Sequence, residues 1–89
     1  MSRKALKFLQ KLQKSDKKLA QNIAEHLMQL QDDAEGQESI GLVGFYPLRR
    51  IRVGKYRVIY RYDDTTIYVV LIGKRDDIYE HVKRFVERM

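Results

Sequence analysis

The chain has no cysteine. That excludes a disulfide framework, a thiolate nucleophile and a cysteine-based zinc site, and it fits a reducing, cytoplasmic setting. No apolar stretch approaches the roughly 18 residues of a spanning helix. The longest, IYVVLI at residues 67–72, is strand-sized. A soluble protein with no membrane partner is therefore expected. The opening residues, MSRKALKFLQKL, alternate bases with hydrophobes at helical spacing and lack the unbroken apolar centre and small-residue cleavage site of a secretory signal. They read as part of the fold. Asp32, Asp33, Glu35 and Glu38 have no metal-like spacing, so no metal or other cofactor is expected. Internal repeats, linkers and low-complexity tracts are missing as well. Acids are also in the minority, with 12 Asp and Glu against 18 Lys and Arg, for a net charge of +6. That balance favours a polyanionic partner.

What remains is 89 residues of alternating charge and hydrophobe, enough for one domain over residues 1–89 with a single modest core. The helical period comes first. Ala5, Leu6, Phe8, Leu9 and Leu12 form an apolar stripe on a helix over residues 4–14 that Ser2 can cap. A break at Ser15-Asp16, either of which can act as a cap, leads to a second helix reaching about residue 31, with Leu19, Ile23, Leu27 and Leu30 on one side. So short a connection predicts an antiparallel helical hairpin.

After an acidic loop at residues 32–41 the period switches to two. Strands are predicted at residues 41–45, 48–53, 56–62 and 66–74, with turns at Pro47, at Gly54-Lys55 and around residues 63–65, giving an antiparallel meander. Asp76 or Asp77 can cap a last helix to about residue 88, striped by Ile78, Val82, Phe85 and Val86. The fold class expected is α+β: a helical hairpin on a small antiparallel sheet, closed by a C-terminal helix.

A two-residue loop at Gly54-Lys55 pairs Val53 with Tyr56, Ile51 with Val58 and Arg52 with Arg57. Continued through a two-residue turn near Asp64, one apolar face holds Tyr56, Val58, Tyr60, Tyr62, Ile67, Val69 and Leu71 and should receive the helices. The other holds Arg50, Arg52, Arg57, Ile59, Arg61, Tyr68, Val70, Ile72 and Lys74. A three-residue turn at residues 63–65 would instead reverse the faces of the last strand and move Lys74. Opposed like charges in a ladder are destabilising, so Arg52 set across from Arg57 points to an anionic ligand, phosphate being the obvious one. Taken singly, Arg49, Arg50, Arg52 and Arg61 also fit the solvated face of an ordinary sheet. His26 and His81 have the residue type for proton transfer, but their positions on helices favour structural roles.

Two segments, GKYRVIYRYDD (residues 54–64) and VVLIGKRDDIYEHVKRF (residues 69–85), carry a further signal. A hairpin of the form G-x-Y-R, an apolar strand ending in G-K-R and a tyrosine shortly after resemble the RelE family of toxin–antitoxin ribonucleases within the RelE/ParE superfamily. The helical hairpin resembles that family's too, so the likeness spans nearly the whole chain. The resemblance implies catalytic roles for Arg57, Arg75 and Tyr79 and puts Arg50 and Arg52 where the family has two basic residues; Arg50, Arg52, Lys55 and Lys74 are expected to bind substrate, with Lys74, Lys55 or a water as candidates for the base.

It further implies ribosome-dependent cleavage of mRNA in the A site by 2′-OH attack, leaving 2′,3′-cyclic phosphate and 5′-OH ends. The partners implied are the ribosome with its mRNA and a RelB-like antitoxin, which together with the toxin would form a hetero-oligomer. The alternative within the superfamily is a ParE-like toxin that binds a protein such as DNA gyrase. Two departures stand out. The family fold opens with a strand, yet only three residues precede the first helix, so that strand is short or missing and a sheet edge is left for a partner. The second strand also carries Arg50 and Arg52 where the family often has lysine. Arginine keeps its proton in proteins, so both suit charge stabilisation rather than proton abstraction.

Overall fold

The computed structural model describes residues 1–34, 39–42, 44–64, 66–74 and 78–87. Its elements are α1 (Arg3–Ser15), α2 (Lys17–Asp32), β1 (Ile40–Gly41), β2 (Arg49–Val53), β3 (Tyr56–Tyr62), β4 (Ile67–Lys74) and α3 (Ile78–Glu87). The strands form one antiparallel sheet in the order β1-β2-β3-β4. This is the α+β arrangement that the periods predict.

Local chemistry places the helix ends. The hydroxyl of Ser2 accepts the N–H of Ala5 at 3.1 Å and starts α1. Of the two residues at the break, Asp16 does the capping, and it serves both helices. Its N–H closes α1 on the carbonyl of Leu12 at 2.7 Å, while its carboxylate accepts the N–H of Leu19 at 3.2 Å to open α2. Such a cap contributes about 1 kcal/mol.

The sheet lies between two apolar layers. On one face α1 and α2 bury Ala5, Leu12, Ile23 and Leu30 against Ile51, Val53, Tyr56, Val58 and Tyr60, with Phe8 meeting the Tyr56 ring edge-on at 5.4 Å. On the other, Leu48, Ile59, Val70 and Leu71 pack with Ile78 and Val82 of α3 and with Leu42 and Phe45. The apolar part of the sheet face that also carries the arginines is thus largely roofed by α3 and by Leu42 and Phe45. Ten residues are too few for an isolated helix to persist in water; α3 is held by Ile78 and Val82, one turn apart and 1% and 0% exposed.

A second correction concerns β4. Ile59 pairs with Leu71 but Tyr60 pairs with Val69, which leaves Val70 as the extra residue of a bulge. Before the bulge the faces run as the alternation predicts, with Ile67 and Val69 on the helix-hairpin side. Beyond it they are reversed. Ile72 joins the α1–α2 core and Leu71 the α3 core. Lys74, opposite Tyr56, is carried to the face away from Arg57.

The strand expected at residues 41–45 stops at Gly41. The chain turns instead through Gly44, at φ +81°, and Pro47, with Leu42 donating to the carbonyl of Leu48 at 3.0 Å. Proline has no N–H to extend a ladder. The turn after β3 also holds four residues rather than two, closed by Asp63 donating to Thr66 at 3.0 Å and by the Asp63 carboxylate accepting the Thr66 N–H at 2.9 Å. An even count keeps Tyr62 and Ile67 on one face. The missing first strand is replaced by one residue: Ser2 donates its N–H to Val69 at 2.8 Å and its hydroxyl to Val70, pinning the chain start to the bulge.

Candidate functional site

The β2–β3 hairpin turns at Gly54, whose φ of +60° suits a residue without Cβ. The ladder that follows pairs Val53 with Tyr56, Arg52 with Arg57, Ile51 with Val58 and Arg50 with Ile59. Arg50, Arg52 and Arg57 therefore project from one face, as the spacing predicts. Their exposure is graded. Arg52 is open to solvent, Arg50 half-buried, and Arg57 only 7% exposed. The Nε of Arg57 makes no hydrogen bond with a described residue, while the residue has a further interaction of its own.

On its other side Arg57 pairs with Gly73. A Cβ built on Gly73 would lie 3.0 Å from the Cδ1 of Ile78, so the first turn of α3 rests directly on this backbone. That contact brings the start of α3 beside the arginines. The sequence analysis used Gly73 only as the glycine of the G-K-R segment; a glycine inside an apolar strand is also a signal for such a close approach.

The remaining candidates divide. Lys55 places its Nζ 5.7 Å from the centroid of the Tyr56 ring, and Lys74 pairs with Tyr56, so both stand on the helix-hairpin side of the turn rather than among the arginines. Lys74 was expected on the arginine face, and the bulge at Val70 is the physical reason it is not there. Arg75 lies outside the described residues, as does the proposed cap at Asp76 or Asp77. Tyr79 belongs to the first turn of α3.

Neighbouring cations have structural duties. Arg61 sits 5.1 Å from the Tyr68 ring centroid. Arg49 donates from Nε to the Ser39 hydroxyl at 2.8 Å and from its second terminal nitrogen to the Ser39 carbonyl at 3.2 Å. The Tyr60 hydroxyl donates to the carbonyl of Ala34, so it must accept from Ser39. One directed chain, Arg49 to Ser39 to Tyr60 to Ala34, ties the end of the helical hairpin to the sheet. His26 bonds the carbonyl of Asn22 at 2.8 Å, one turn back on the same helix. Among the described residues no helix is long and apolar enough to cross a membrane.

What this face can do chemically is hold an anion. Directly opposed side chains in a ladder have Cβ atoms about 5 Å apart, so Arg52 and Arg57 leave their strands side by side on one face. Comparison with known proteins gives one match: a family model described as the ParE toxin of the type II toxin–antitoxin system, parDE, covers residues 1–79. No curated protein and no solved structure matches the chain.

Proposed function

The chain belongs to the RelE/ParE toxin family of type II toxin–antitoxin systems, and from that premise we propose that it is a RelE-like endoribonuclease cutting mRNA in the ribosomal A site. A cognate antitoxin is the partner that membership implies. One observation carries the nuclease proposal: the ladder sets Arg52 against Arg57 with Arg50 on the same face, which gathers three cationic side chains on one side of the hairpin.

The reaction needs no protein nucleophile. The substrate's 2′-OH attacks the adjacent phosphorus and loses its proton to a base, the P–O5′ bond breaks, and the departing oxygen takes up a proton. The products are a 2′,3′-cyclic phosphate and a 5′-OH. Protein groups serve by orientation, charge stabilisation and proton transfer. In this scheme Arg57 grips the scissile phosphate and Arg50 and Arg52 spread the charge of the phosphorane. Arg52, being exposed, meets the strand first. Arg75 stabilises the leaving 5′-oxygen. Tyr79, on the first turn of α3, stacks on a splayed base or bonds the 2′-OH; stacking contributes about 1–3 kcal/mol per base.

Membership of a family described as the ParE toxin favours a second reading in which the toxin binds a protein such as DNA gyrase. The small exposure of Arg57 is compatible with it, since a buried arginine can also brace a protein-binding surface. Mapping the ends of cellular mRNA after induction separates the two. Cuts within translated codons bearing 5′-OH ends are expected. Intact mRNA accompanied by broken DNA would establish the gyrase reading instead.

A further inference from the structure

Around the outer edge of β4 the structure has a cavity lined from both faces of the strand end. A half-open cavity of about 410 Å³ lies between the start of α1 and the start of α3, with the last residues of β4 as its floor. Phe8, Tyr56 and Ile78 form apolar walls, while Lys4, Lys74 and His81 come to it from α1, β4 and α3 respectively. No carboxylate is found among the described lining residues. Its volume is in the range of ligand sites, which are mostly apolar with a few convergent polar groups.

An occupant with an apolar group close to negative charge fits these described lining residues. A stacked nucleobase is disfavoured by the walls. Phe8 already meets Tyr56 edge-on at 5.4 Å and Lys55 lies over the Tyr56 ring at 5.7 Å, so the aromatic pair is committed to protein contacts. An acidic polypeptide segment satisfies both demands, and the net charge of +6 adds long-range attraction. We propose that this cavity anchors an acidic segment of the cognate antitoxin, taking one large apolar side chain between Phe8 and Ile78 while flanking carboxylates meet Lys4, Lys74 and His81. The proposal rests on family membership and is independent of the nuclease chemistry.

Lys4 and His81 are both exposed, which makes charge reversal there compatible with folding. The test measures antitoxin affinity for the wild type, for Lys4→Glu/His81→Glu, and for the control pair Lys14→Glu/Lys18→Glu on exposed helix surface. Expected are a loss of at least tenfold for the first pair and of less than threefold for the control. Equal losses, or none, would overturn the proposal. A second measurement follows the Ile72 and Ile78 methyl resonances of the wild-type chain by NMR. They shift in the antitoxin complex and stay in place with uridine monophosphate; unmoved methyls in the complex, or shifts caused by the nucleotide, count against it. Cleavage of ribosome-bound mRNA by the free Lys4→Glu/His81→Glu variant should match wild type, so failure here and failure of the nuclease reading are told apart.

Discussion

Arg52 lies directly across the β2–β3 ladder from Arg57, two guanidinium side chains in the position where a sheet ordinarily sets opposite charges or hydrophobes. Nothing in the turn forces this pairing of residue types, since the Gly54-Lys55 loop fixes only the register. The repulsion is a local cost, and the two members share it unequally. Arg57 is 7% exposed and surrounded by protein, whereas Arg52 faces solvent.

Relieving that repulsion should separate stability from activity. Arg52→Ala is expected to stabilise the domain by about 0.2–1 kcal/mol, read as a higher urea midpoint with unchanged slope, while cleavage of ribosome-bound mRNA falls. A lowered midpoint would mean that Arg52 is a net structural asset.

Arg57→Ala removes the group assigned to the scissile phosphate. Loss of one preorganised charge-stabilising donor costs about 10²- to 10³-fold in turnover, and the same loss is expected here in a single-turnover cleavage assay. Circular dichroism should show the fold retained. Wild-type cleavage rates in this variant would remove Arg57 from the mechanism.

Gly73→Ala pushes a methyl against Ile78 at 3.0 Å. Overpacking of this kind costs about 1–3 kcal/mol, and it should lift the first turn of α3 away from the arginines. Ile78→Val takes away the clashing Cδ1 and by itself costs about 0.5–1.5 kcal/mol. In urea titrations the double variant should lose less than the two single losses combined. Simple additivity would show that α3 does not rest on this glycine.

Tyr60→Phe breaks the chain from Arg49 through Ser39 to Ala34 by deleting its buried hydroxyl. A donor and an acceptor left unsatisfied cost about 1–3 kcal/mol. The midpoint should fall accordingly, with mRNA cleavage at wild-type rates below the transition, because the hydroxyl is directed to the opposite face from Arg57.

The shared face of Arg50, Arg52 and Arg57 was legible because its determinants are local. A glycine suited to positive φ, followed by alternating residues, sets the hairpin register, and register alone puts Arg50, Arg52 and Arg57 on one face. Lys74 was misplaced for an equally definite reason. A bulge adds one residue to one strand, and Val69-Val70-Leu71 is as good an unbroken strand by composition as a bulged one.

The residue order by itself determined the elements whose stabilising contacts fall within a few positions: the Ser2 cap and a helix break at Ser15-Asp16, the two-residue turn at Gly54-Lys55, the apolar stripes of α1 and α2 with Ile78 and Val82 of α3, and the excess of basic side chains. Tertiary structure decided what depends on residues distant in the chain. The hydroxyl of Ser2 reaches the bulge at Val70 across 68 positions, Ile78 selects the face that α3 covers by settling on Gly73, and the segment after Gly41 folds over Ile59 instead of lengthening the sheet. Each of these is a competition between alternative burials, and only the assembled core determines which one removes more apolar surface from water.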